Sequence, residues 1–178
     1  FGSSIYVWGS IITVFMLALS IGYLAGGHWS LKSPSLRRMG LLYALGALLL
    51  LPLPFWGTDI MEMIFLKIED PRYGSLTASA VLFLPATVVL GMISPYAVRL
   101  LALSTVETGL TAGHLYFVST LGSAIGTIVT SFYLVLWMQL PTIYLTFIAA
   151  LLIAGGLLSV LSGQLASTPL STNEQQAN

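Results

Sequence analysis

"SIYVWGSIITVFMLALSIGYLAG", residues 4–26, runs for 23 residues without a charged side chain. A helix of about 20 apolar residues crosses the hydrocarbon core of a bilayer, about 30 Å thick. The stretch is too long for the core of a secretory signal and has no basic residues before it, so it reads as a membrane span. Four further apolar segments follow, at about Met39–Trp56, Ser75–Leu103, Thr111–Trp137 and Thr142–Leu161. Backbone polar groups in lipid must be satisfied within the protein, which leaves helices or closed barrels. Barrel strands are short and alternate strictly, whereas these runs are long and continuous. The expected fold is therefore all-α: a polytopic membrane helical bundle of about five transmembrane helices.

Composition agrees. Apolar residues make up 57% of the 178, and only 7% are charged, against about a quarter in soluble domains. Mean hydropathy is +0.95. Six basic and six acidic residues cancel, so no net field recruits nucleic acid. The absence of cysteine removes disulfides, thiolate chemistry and Cys-based metal sites. His28 and His114 lie far apart in sequence without metal-ligand spacing. No phosphate loop, no dinucleotide-binding glycine pattern and no nucleophile–histidine–acid set is visible. The expectation is a chain without enzyme activity, cofactor or metal.

Loop charges set a direction. Lys32, Arg37 and Arg38 occupy the first loop with no acid beside them, and read as cytoplasmic anchoring charges. The second loop holds Asp59, Glu62, Glu69 and Asp70 against Lys67 and Arg72. The positive-inside rule puts the first loop in the cytoplasm, the N-terminus outside and the C-terminus inside. Arg99 then falls at the cytoplasmic end of the third span. Within the second loop, Asp59 and Glu62 have capping-box spacing ahead of apolar residues up to Ile68. The pattern predicts a short interfacial helix, stopped by Pro71. Residues 1–162 form the expected transmembrane domain, and 163–178 a disordered polar cytoplasmic tail. The chain starts at Phe1 without methionine, which suggests processing or a missing upstream segment.

Few residues could carry chemistry. Only Arg99 is charged within the central part of a predicted span, which counts against a proton-coupled pump. Glu107 and His114 flank the third loop and read as solvated. Pro85 and Pro95 are expected to break the third span twice, with Arg99 as an anchor near its end. Broken helices often line transporter cavities. Gly122 and Gly126 form a G-x-x-x-G with Ser119 and Ser123 on nearly the same face. Gly9, Gly22 and Gly26 give the first span similar character. The expectation is that these small-residue faces pack the first span against the fourth, with a substrate-lining groove as the alternative.

Three stretches together carry a family resemblance: "FGSSIYVWGSIITVFMLALSIGYLAGG" (1–27), "LPATVVLGMISPYAVRL" (84–100) and "GHLYFVSTLGSAIGT" (113–127). Their order resembles the membrane half of the prokaryotic fused transporter/spermidine-synthase-like family. The resemblance implies half of a major-facilitator fold in the prokaryotic cytoplasmic (inner) membrane, usually followed by a cytoplasmic aminopropyltransferase-like domain. This sequence stops at Asn178 without that domain, and its first loop lacks the family's Asp-Arg pair. No catalytic residue carries over. Three readings follow. The first is a non-catalytic accessory or scaffold subunit, docking other membrane subunits or its own copies within the lipid bilayer. The second is a small-solute transporter-like protein, with polyamine-related solutes as candidates. The third is the membrane-anchor fragment of an aminopropyltransferase fusion.

Overall fold

The computed structural model describes residues 5–32, 34–101 and 108–167, and all elements among them are helical. The order is α1 (Ile5–Ser30), α2 (Leu36–Leu50), α3 (Leu53–Lys67), α4 (Pro71–Gly91), α5 (Ile93–Leu101) and α6 (Thr108–Val129). A π-helical turn (Thr130–Leu134), α7 (Val135–Trp137) and α8 (Leu140–Ser167) complete it. Four segments are long and apolar enough to cross a membrane: Ile5–Ser30, Pro71–Leu101, Gly109–Trp137 and Leu140–Gln164. A fifth results if α2 and α3, bent by 50° at their junction, count as one span. The helical membrane bundle read from the sequence is thus present in its coarse form.

α1 and α4 form the most extensive helix pair, and they run parallel. Arg72 lies over the Tyr6 ring, 4.4 Å from its centroid. Phe15 meets Phe83 at 5.6 Å between ring centroids, and Trp29 meets Tyr96 at 6.3 Å. These contacts rise along α1 and along α4 and α5 in the same order. α2 is antiparallel to α8: Gly40, early in α2, meets Gly155 and Ser159, late in α8. α2 also packs on α4, with Gly46 against Leu90. The body is therefore α1, α4, α2 and α8 in sequence of contact, and α4 contributes the most buried residues.

Two caps fix helix starts. Ser35 has extended backbone and its side chain accepts a hydrogen bond from the Arg38 N–H. Asp70 accepts from the Arg72 N–H at 2.9 Å, and Pro71 takes the first helical position, where a missing N–H costs nothing.

Four expectations are corrected. The helix in the second loop starts at Leu53, six residues before the supposed capping box, so Asp59 and Glu62 lie inside it. Pro52 has the helical φ of −65° and supplies the start without a side-chain cap. Leu53 and Gly57 are buried and hold this first turn in the bundle. Pro71 does not stop that helix, which ends at Lys67; it opens the next one. The third span starts at Pro71, and it is broken once rather than twice. α4 continues through Pro85, and among the described residues the one interruption falls at Met92. There Pro95 cannot donate to the Gly91 carbonyl, and the Met92 N–H is shared between Val88 and Val89 at 3.2 Å each. Finally, α8 runs to Ser167, so the first five residues assigned to the polar tail are helical. Residues 102–103 of the third expected span, Glu107, and 168–178 of the tail lie outside the described residues.

Candidate functional site

Small residues decide how closely these helices approach, and not in the pairing the sequence suggested. Gly22 and Gly26 of α1 press on the backbone at the α4–α5 break. A Cβ on Gly26 would lie 2.6 Å from the Met92 Cα and closer still to its carbonyl oxygen. A Cβ on Gly22 would lie 3.0 Å from the Gly91 Cα and would collide with the Val88 oxygen. Gly91 supplies the matching gap on α4. The first span thus packs against the third, not the fourth. The physical reason is that Pro95 and Gly91 disturb α4 where α1 has no side chains, so two backbones can meet.

The same economy joins α2 to α8. A Cβ on Gly40 would lie 2.7 Å from the Gly155 oxygen, and one on Gly155 2.8 Å from the Gly40 oxygen. Gly40, Gly46, Gly91 and Gly155 were not singled out from the sequence. Their signal was a glycine in the interior of an apolar run, where it costs helix stability unless close packing offsets it.

The end of the bundle holding Ser30 and Ser35 is tied by Tyr96. Its side chain is completely buried. Its hydroxyl accepts from the Ser35 N–H at 3.0 Å and reaches the Ser35 carbonyl at 3.4 Å. Tyr96 thereby fixes the start of α2 on α5, beside Trp29 of α1. Arg38 donates to the Lys32 carbonyl, closing the loop between α1 and α2. Lys32, Arg37 and Arg99 are exposed near this end. Tyr96 lies within a stretch whose sequence drew attention only to Pro95 and Arg99; a tyrosine in an apolar helix was the signal available.

At the opposite end, the Arg72 guanidinium donates to the Tyr6 hydroxyl at 3.2 Å. The Ser75 hydroxyl lies 2.6 Å from the Pro71 carbonyl and 3.1 Å from the Ser10 hydroxyl. These contacts lock the N-termini of α1 and α4 together. No group of three or more metal-ligating side chains gathers among the described residues. His28 Nδ1 sits 3.0 Å from the Leu24 carbonyl, and His114 is exposed on α6.

α6 differs from all other long helices. Every residue from Tyr116 to Val129 is exposed. Gly122 and Gly126 have nothing within 4 Å of an added Cβ, and the same holds for Gly9 on α1. Ser119 and Ser123 share the open face of Gly122 and Gly126. The Thr127 hydroxyl donates to the Ser123 carbonyl at 2.8 Å, so this hydroxyl is satisfied within the helix. The stripe then widens into the π-helical turn, Thr130–Leu134, a departure the sequence did not announce. The face can accept another helix at short range, because glycines at i and i+4 leave a groove.

These features define a helical bundle with four or five helices able to cross a membrane, and one long helix whose Tyr116–Val129 stretch is exposed throughout among the described residues. No protein-family model, no curated protein and no solved structure matches the chain.

Proposed function

We propose that this chain is a non-catalytic integral membrane module that docks partner membrane proteins through α6. The observation carrying this reading is the stretch from Gly109 to Trp137: 29 residues, long and apolar enough to cross a membrane, with its most apolar part unburied among the described residues. Helix association in lipid is driven by close packing and interhelical hydrogen bonds rather than by the hydrophobic effect. A face of Ser119, Gly122, Ser123 and Gly126 suits that mode. Its natural setting is a prokaryotic cytoplasmic membrane, with Lys32, Arg37 and Arg38 on the cytoplasmic side, the N-terminus of this chain outside and the C-terminus inside. The resemblance to the membrane half of the fused transporter/spermidine-synthase-like family supports a role beside, or as part of, a larger assembly.

The test is purification from the native membrane in gentle detergent, followed by mass determination of the particle and its components. A particle containing further subunits, lost in Gly122→Leu, is the expected result. A lone monomer from wild type would refute docking as the main role.

The interrupted spans favour a second reading as a small-solute transporter-like protein. The 50° bend at Leu51–Pro52 and the break at Met92 are the kind of discontinuity that lines transport sites. Solute flux in liposomes, abolished by bulky residues at Gly122 or Gly126, would move the assignment to this reading. The anchor-fragment reading calls for a synthase-like domain encoded downstream in the same frame.

A further inference from the structure

The bend between α2 and α3 leaves a space that the chain does not fill. A cavity of about 220 Å³ lies between α3, α4 and α8. Its walls include Leu53 and Gly57 of α3, Leu82 and Phe83 of α4, and Tyr144 of α8, and among the described residues no charged side chain lines it. Gly57 is the informative residue. It is buried, yet a Cβ added to it would meet no atom within 4 Å. A buried position in a close-packed interior ordinarily has neighbours at contact distance. The two observations place the unfilled volume directly over Gly57.

The lining selects the guest. An apolar cavity of roughly 150 Å³ accepts a benzene-sized molecule, so this one accepts something longer. It falls below the roughly 300 Å³ at which pockets for metabolite- or drug-sized ligands begin. A polyamine would need carboxylates in the wall to offset desolvation of its ammonium groups, and the wall has none. What remains is a hydrocarbon chain. Met61 and Leu140, which also line the cavity, are 44% and 62% exposed, so the cavity opens onto the apolar surface of the bundle.

A second, shallower depression shares Thr58 and Met61 with this cavity and ends at Glu62 and Phe65. An amphiphile with its tail over Gly57 therefore brings its head towards a carboxylate. A fatty acid would set two negative charges together there, whereas an amine-bearing headgroup sets opposite charges together. We propose that the α3–α4–α8 cavity holds one acyl chain of an amine-headed phospholipid, with the headgroup over Glu62.

The experiment uses the full chain in phosphatidylcholine bilayer discs doped with a phospholipid carrying a diazirine near the end of one acyl chain. Three dopants are compared: phosphatidylethanolamine, phosphatidylglycerol and the free fatty acid, all with the same photoactive chain. After irradiation, labelled peptides are mapped by mass spectrometry. Phosphatidylethanolamine is expected to label the segments around Leu53–Met61 and Leu140–Tyr144 above the level on exposed α1 residues such as Ile12 and Met16. Gly57→Phe is expected to reduce that labelling about tenfold, the equivalent of displacing about two methylenes, with α1 labelling unchanged. Leu140→Trp, an exposed rim position, gives the same loss by narrowing the mouth and serves if Gly57→Phe does not fold. Glu62→Gln should abolish the preference for the ethanolamine lipid. Labelling equal to that of α1 and indifferent to both cavity variants would mean surrounding lipid only and would overturn the proposal. Stronger labelling by the fatty acid or by phosphatidylglycerol would overturn the headgroup assignment.

Discussion

Gly26→Ala is the most direct test of how the bundle is held together. The new methyl carbon would lie 2.6 Å from the Met92 Cα and 2.9 Å from its carbonyl carbon. Both are backbone atoms, so no rotamer change relieves the clash. Bringing the 2.6 Å contact to an ordinary 3.4 Å requires α1 and the α4–α5 junction to separate by about 0.8 Å. A gap of that size forfeits roughly a quarter to a half of the attraction of each contact it opens. It does so along the most extensive helix pair of the bundle. Overpacking of this kind costs about 1–3 kcal/mol. Gly46→Ala provides the control. Its methyl would lie just as close, 2.6 Å, but to Leu90 Cδ2, the far end of a side chain that can swing away. Its cost should stay within about 0.5 kcal/mol, the range of benign substitutions. Thermal unfolding of the two variants in the same detergent is the assay. At about 2–4 °C per kcal/mol for chains of this length, Gly26→Ala should lower the midpoint by several degrees and Gly46→Ala by about 2 °C at most. Equal midpoints would refute the claim that backbone-to-backbone approach of α1 and α4 limits the packing.

Three further outcomes are expected. Gly122→Leu should leave the unfolding midpoint of the isolated chain within about 2 °C of wild type, because its side chain enters open space; under native purification the same variant should lose its partners. Tyr96→Phe deprives the Ser35 N–H of its acceptor in a buried setting and should cost about 1–3 kcal/mol, read as a lower midpoint. Ser35→Ala removes the cap on Arg38 N–H and should cost about 1 kcal/mol, with faster amide exchange confined to the first turn of α2.

The spans were legible because the signal is composition over length, which needs no tertiary information. Long uncharged runs such as Ile5–Ser30 can be satisfied in lipid only as helices. Ends were less legible. The Asp59–Glu62 spacing looked like a cap, but Pro52 and the burial of Leu53 start the helix earlier, and burial is a property of neighbours. Pro85 looked equal to Pro95, yet only the latter sits beside a break. The difference lies in Gly91 and the α1 glycines that press on Met92, which no local pattern contains.

The sequence by itself determined that the chain is helical and that its helices are long and apolar enough to cross a membrane. It also marked Gly22, Gly26, Gly122 and Gly126 as places where helices could come close. Only the tertiary structure decided which of them do. A glycine creates a possible contact, but the partner depends on which backbone arrives opposite it. For Gly22 and Gly26 that is the broken third span, α4 and α5; for Gly122 and Gly126 no helix arrives among the described residues.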